Sequence, residues 1–185
     1  NLEAALAGLT APMTFINGQA CYAPTRLLIP PSRYAEIVGG FADMLRSLPF
    51  GDPKDPATFI GPLASRRQRD RVRGFLEIGA REGAKAIVGG SVPVDKPRGW
   101  YVEPTLFSDV DNGMSIAQQE IFGPVYCAIA YDDINHGVRI ANDTPYGLQS
   151  SVWTSDPDRG VAVARRIRAG MVGVNSHNLD MAGPF

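Results

Sequence analysis

Val125-Tyr126-Cys127-Ala128-Ile129-Ala130-Tyr131 is an almost continuous apolar run. That is the pattern of a strand buried on both faces, as the strands of a parallel sheet are. Around it, helix-like and strand-like stretches alternate along the chain. Asn1 is placed to cap a helix through Leu2, Ala5, Leu6 and Leu9. Arg26 to Pro30 reads as a short strand ended by prolines. From Pro31 to Leu45, the residues Tyr34, Ile37, Val38, Phe41, Met44 and Leu45 fall on one helical stripe. Leu48 to Leu63, rich in glycine and proline, reads as a long ordered loop. Ser65 opens an arginine-rich helix running to about Glu82. Gly83 to Gly90 reads as a turn and a strand, and Tyr101 to Phe107 as another strand. A helix is expected over Asp133 to Ala141 and a strand over Ser150 to Thr154. The next helix carries Pro157 at its start, with Asp156 or Ser155 as cap, and runs to Ala169-Gly170; Met171 to Val174 returns to strand. Repeated units of this length predict an α/β layered fold with a largely parallel sheet and helices on both faces. No domain boundary is evident within residues 1–185.

Charge excludes several function classes. The chain holds 18 basic and 19 acidic residues, a net charge of -1, so neither a basic excess nor an acidic block points to a nucleic-acid partner or a disordered tail. The densest basic stretch, Arg66 to Arg73, admits two readings, a phosphate-binding face or the wet side of a helix. Val72, Phe75, Leu76 and Gly79 supply an apolar side and favour the second. The longest apolar runs are too short to span a membrane. Two cysteines without a secretion signal point to a reducing, cytoplasmic compartment.

Chemistry concentrates at Asn17-Gly18-Gln19-Ala20-Cys21-Tyr22-Ala23-Pro24. Glycine permits a tight turn or a close backbone approach, and Asn17 and Gln19 bring polarity into an apolar stretch. A sulfur nucleophile acts as thiolate, which a site here must stabilise with dipoles or hydrogen bonds. The residues themselves leave two readings of Cys21 open, a nucleophile or a small buried hydrophobe. Cys127, inside the apolar run, reads as core. A second candidate is Glu120, followed by Ile121-Phe122-Gly123-Pro124 at the entrance to that run. Its carboxylate would accept a sugar hydroxyl, act as a base, or cap a turn. His136 and His177 lack metal-ligand spacing, and no metal site is expected. Spacing leaves a Cys21–His177 protease pair open. There is no glycine-rich dinucleotide fingerprint and no phosphate-binding loop.

Four segments, in order, resemble the aldehyde dehydrogenase superfamily. Phe15 to Arg26 is similar to its cysteine signature, and Gln119 to Val125 to its glutamate signature. Ala141-Asn142-Asp143-Thr144-Pro145-Tyr146-Gly147-Leu148 and Gly170 to Asn175 resemble two further family segments. The resemblance covers essentially the whole chain. It implies that Cys21 is the nucleophile, adding to an aldehyde to form a thiohemiacetal and then, after hydride transfer to NAD (NADP being the alternative), a thioester that is hydrolysed to the acid. It implies that Glu120 holds a nicotinamide-side ribose hydroxyl and that Phe122 packs near that ring. Asn175 would lie on the substrate side, Tyr22 would add bulk beside the nucleophile, and Leu179 and Phe185 align with walls of the aldehyde tunnel. By that resemblance the family's activating glutamate segment and nucleotide-binding domain are expected to fall before Asn1, and its terminal oligomerising strand after Phe185, outside residues 1–185. Residues 1–185 are thus expected to be a truncated catalytic domain of a homodimeric or homotetrameric parent. Two alternatives stand beside the hydrolytic enzyme: a relative passing the acyl group to coenzyme A or phosphate, and a folded fragment without catalysis of its own.

Overall fold

The computed structural model describes residues 1–96 and 98–178. The apolar run forms strand β4 (Val125–Ala130), an interior strand of a four-stranded sheet. It is flanked in parallel by β1 (Arg26–Ile29), with Arg26 opposite Cys127, and by β3 (Thr105–Ser108), with Thr105 opposite Val125. β2 (Lys85–Val88) joins β3 antiparallel at the other edge, giving the order β1-β4-β3-β2. A strand in this position has no wet face, so both sets of alternating side chains must be apolar.

The two sets meet different helices. Val125, Cys127 and Ile129 pack in one core with Val72, Phe75 and Leu76 of α3 (Arg66–Arg81). Tyr126 and Ala128 pack in a second core with Leu9 and Met13 of α1 (Leu2–Thr14) and with Val38, Phe41, Ala42 and Leu45 of α2 (Tyr34–Ser47). Helices therefore cover both faces, as the sequence pattern predicts. Each fully buried side chain of this kind contributes roughly 1.5–3 kcal/mol. The caps follow from composition: Asn1 accepts the Glu3 N–H at 3.0 Å and Ser65 accepts the Gln68 N–H at 3.2 Å. Cys127 is the packed core thiol expected of it. It is 1 % exposed, and burial pushes its pKa up to about 12 against the opposing pull of Arg26.

Four features differ from the pattern. The strand expected from Tyr101 begins at Thr105, because Pro104 has no N–H for a ladder and its neighbours bond to loops instead: Trp100 O accepts from Leu63 N–H and Glu103 N–H donates to Ser91 O. A short helix, α4 (Ser115–Gln118), carries little sequence signal. The Glu82 carboxylate secures it by accepting from both the N–H (2.8 Å) and the hydroxyl (2.6 Å) of Ser115. After α5 (Ile134–Asn142), strand β5 (Gln149–Val152) and strand β6 (Met171–Val174) pair in parallel as a separate two-stranded sheet. Between them α6 (Pro157–Ala164) ends short of Ala169, since the bonds from Arg166 and Ile167 tighten to three-residue spacing and Asn142 takes the Arg166 carbonyl.

Candidate active site

The segment from α1 to Cys21 is an unusual turn. Ile16, Asn17 and Gly18 follow one another at φ of 48°, 58° and 72°. Only glycine adopts this region without cost, and asparagine tolerates it better than a β-branched residue. The polar side chains that made this segment read as a site turn out to hold it in shape. Asn17 Oδ1 accepts the Gly61 N–H at 2.8 Å, and its Nδ2 donates to Pro62 O at 2.9 Å. Gln19 Oε1 accepts the Ala64 N–H at 3.1 Å, and its Nε2 donates back to Ile16 O at 3.0 Å. The ordered 48–63 loop is thus the wall on which the turn is mounted. The Cys21 thiol is exposed. The backbone N–H groups of Cys21 and Tyr22 have no acceptor among the described residues, which leaves them free to meet an oxyanion.

The Glu120 segment is gripped by its backbone. Gln68 Nε2 donates to Ile121 O at 3.0 Å and to Phe122 O at 2.7 Å, and Arg71 donates to Glu120 O. From the other side, the Glu120 N–H donates to Tyr146 Oη at 3.3 Å. These bonds fix a loop in which Phe122 sits at φ 61°. The Glu120 carboxylate is left exposed, with no hydrogen bond or salt bridge among the described residues. The arginine-rich face of α3 is therefore more than solvated surface, because Arg71 reaches across to this loop.

Glycines bring the two segments together. A Cβ on Gly18 would lie 2.5 Å from Gly123 O, and one on Gly123 would lie 2.7 Å from Val72 Cγ2. Loop, loop and helix stack at backbone distance, which only hydrogen in place of a side chain permits. Cys21, Tyr22, Glu120 and Phe122 consequently line one cleft of about 1040 Å³, which β1 and β5 also border. That volume is just above the roughly 300–1,000 Å³ of small-ligand sites.

His177 also lines this cleft, only 3 % exposed. Its Nε2 lies 2.9 Å from Tyr22 O and its Nδ1 lies 3.1 Å from Ser151 Oγ. Both ring nitrogens are taken, and neither partner is Cys21, so the Cys21–His177 protease pair is not formed. Burial holds the His177 pKa below the usual imidazole value, with the Tyr22 carbonyl pulling the other way. Asn175 is not among the cleft residues. Its Oδ1 accepts the Thr154 N–H at 2.8 Å while its own backbone stands at φ 52°, so its side chain closes the turn after β6. Leu179 and Phe185 lie outside the described residues. The helpers Gln68, Arg71, Tyr146 and Ser151 were not singled out as site residues from the sequence. Tyr146 carries a signal through its Tyr-Gly-Leu segment, and Gln68 and Arg71 lie in the Arg66 to Arg73 stretch, whose pattern favours a solvated helix face.

The sequence profile of the aldehyde dehydrogenase family matches residues 1–185. Among curated proteins, the chain is 43% identical over 185 residues to a geranial dehydrogenase of Castellaniella defragrans, covering 100% of this chain and 38% of that protein. It is 38% identical over 181 residues to a betaine aldehyde dehydrogenase of Brucella anthropi, covering 97% of this chain and 37% of that protein. Among solved structures, it superposes with a TM-score of 0.96 and 44% identity on an aldehyde dehydrogenase of Mycobacterium tuberculosis complexed with NAD+, covering 100% of this chain and 38% of that one. A cysteine-to-alanine mutant of aldehyde dehydrogenase C from Pseudomonas syringae, complexed with NAD+ and octanal, matches with a TM-score of 0.95 and 40% identity over 100% of this chain and 38% of that one. The chain thus spans about 38% of the length of the geranial dehydrogenase it matches.

Proposed function

Because the chain belongs to the aldehyde dehydrogenase family, we propose that it carries the catalytic-domain portion of an enzyme that oxidises an aldehyde to a carboxylic acid with NAD+, using Cys21 as nucleophile. The observation that carries this reading is the shared cleft, in which an exposed thiol and an exposed carboxylate some hundred positions apart in sequence face one space. Two of the relatives described above are complexed with NAD+, one of them also with an aldehyde.

The residues present fit that cofactor. The Glu120 carboxylate can only accept hydrogen bonds, and its unoccupied oxygens suit a pair of ribose hydroxyls. Phe122 lines the same cleft, and NADP remains compatible because the adenosine end is read elsewhere in such enzymes. NAD+ supplies the acceptor for a hydride. The Cys21 thiolate attacks the aldehyde carbon: the S–C bond forms and the carbonyl π pair moves to oxygen. The Cys21 N–H donates to that oxyanion. Hydride leaves the carbon with its electron pair, the C=O bond re-forms as a thioester, and water then adds. Collapse breaks the C–S bond, releases the acid and restores the thiolate. The balance is aldehyde, NAD+ and water to acid, NADH and a proton. Tyr22 stands beside the nucleophile and limits the bulk admitted there, and Asn175 serves by keeping the turn after β6 in place.

A homodimeric or homotetrameric assembly and a cytoplasmic setting belong to the same proposal. Among the described residues no helix is long and apolar enough to cross a membrane. The test is aldehyde-dependent reduction of NAD+ by the natural full-length protein, with Cys21→Ala as control. Reduction that disappears with Cys21 supports the reading. No reduction across short, long and aromatic aldehydes overturns it.

A further inference from the structure

His177 forms the end of a directed hydrogen-bond chain. Trp153 Nε1 can only donate, and it donates to Ser151 Oγ at 3.0 Å. Ser151 then has its own hydrogen to give, and the neighbour in reach is His177 Nδ1 at 3.1 Å. A carbonyl oxygen can only accept, so the 2.9 Å contact from His177 Nε2 to Tyr22 O requires the hydrogen on Nε2. Of the two neutral tautomers only Nε2–H satisfies every group in the row, and burial of the ring disfavours the doubly protonated form.

The row also crosses the fold. Ser151 lies on β5 and Trp153 just after it. His177 lies three residues beyond β6, in a segment further tied down where Gln149 Nε2 donates to Asn178 O at 3.1 Å. Tyr22 belongs to the nucleophile loop, and its ring stacks on the imidazole with centroids 6.4 Å apart. The last hydrogen bond therefore joins the segment after the two-stranded sheet to the Tyr22–Ala23 peptide, one peptide beyond the Cys21–Tyr22 link.

We propose that His177 is a positioning residue: as an Nε2–H imidazole fixed by Ser151 and Trp153, it holds the Tyr22 carbonyl and with it the orientation of the Cys21 peptide. Its ring nitrogens bond to Ser151 and the Tyr22 carbonyl and not to the thiol, so it acts through the backbone. This inference rests on the reading of Cys21 as nucleophile.

The test has two arms on the natural full-length protein. Two-bond 1H–15N spectra of histidine-labelled protein report the tautomer without any need for activity. The Nε2–H form is expected in the wild type at neutral pH; a wild-type Nδ1–H form or an imidazolium there overturns the proposal. Acylation of Cys21 by p-nitrophenyl acetate is then followed by intact mass. His177→Phe, which removes the donor, is expected to slow it by about tenfold to a hundredfold, the scale of a small misplacement of reacting groups. His177→Gln, whose amide nitrogen replaces Nε2, is expected to return it to within a few-fold of wild type. Equal rates in the Phe variant and wild type, or no recovery with Gln when both variants are folded by circular dichroism, also overturn it. Failure of wild-type Cys21 to acylate at all counts against the nucleophile instead, while the tautomer spectrum still decides the hydrogen-bond row.

Discussion

Gly18 and Gly123 meet backbone to backbone, so closely that a Cβ on the first would sit 2.5 Å from the carbonyl oxygen of the second. This contact joins the loop bearing Cys21 to the loop bearing Glu120. It depends on Gly18 at φ 72°, where an L side chain is strained as well as crowded.

Gly18→Ala is expected to destabilise the protein by roughly 1–3 kcal/mol or more, from backbone strain plus the clash. Gly74→Ala is the counter-test. Gly74 lies inside α3 with nothing within 4 Å of its would-be Cβ, and alanine there is expected to stabilise by about 0.4–1 kcal/mol. Urea denaturation of both variants reads the two signs. A neutral Gly18→Ala would mean that the loops do not need this approach.

Gln68 and Arg71 hold three consecutive carbonyls, those of Glu120, Ile121 and Phe122. Gln68→Ala is expected to raise the KM for NAD+ by about three- to tenfold, one net hydrogen bond being worth about 0.5–1.5 kcal/mol. Rates of Cys21 acylation, measured without cofactor, are expected to stay near wild type. Initial-rate kinetics beside single-turnover acylation separate the two effects.

The two cysteines are expected to differ sharply towards iodoacetamide. Cys21 is exposed, whereas Cys127 is buried with a pKa of about 12, which leaves about one thiolate in ten thousand at pH 8. Peptide mapping at pH 8 is expected to find Cys21 alkylated and Cys127 untouched until denaturant is added. Comparable labelling in the folded protein would contradict the buried position of β4.

His177 is expected to make the fold sensitive to acid. Its folded pKa lies below the unfolded imidazole value of about 6.5, so the unfolded chain binds the proton first. The stability it confers is complete above that value and is lost as pH falls through it towards the folded pKa. Tm measured from pH 8 to pH 5 is expected to fall less steeply in His177→Gln than in wild type. Parallel curves would show that the imidazole does not titrate differently on folding.

The parts of the structure legible in the sequence are those whose cause is local. The continuous apolar run of β4 demanded cover on both faces, and it received α3 on one side and α1 with α2 on the other. Ser65 marked a helix start because a serine hydroxyl satisfies its own helix's free N–H. Cys21 and Glu120 stood out because unusual residue types sit in short ordered patterns. By contrast, the pattern carried the Tyr101 strand past Pro104 and α6 past Ala164, where loop contacts distant in sequence redirect the backbone.

What the sequence determined by itself is the layered α/β architecture, the buried Cys127 and the two candidate segments that line the cleft, since periodicity and residue type express those directly. Only the tertiary structure decided that Asn17 and Gln19 are struts for the turn, and that Arg71 and Gln68 grip the Glu120 loop. It also decided that His177 turns away from Cys21 to the Tyr22 carbonyl, 155 positions distant. The reason is physical: these side chains bond to backbone N–H and C=O groups, which nearly every residue carries alike, so no residue type marks the partner and only the folded path of the chain selects it.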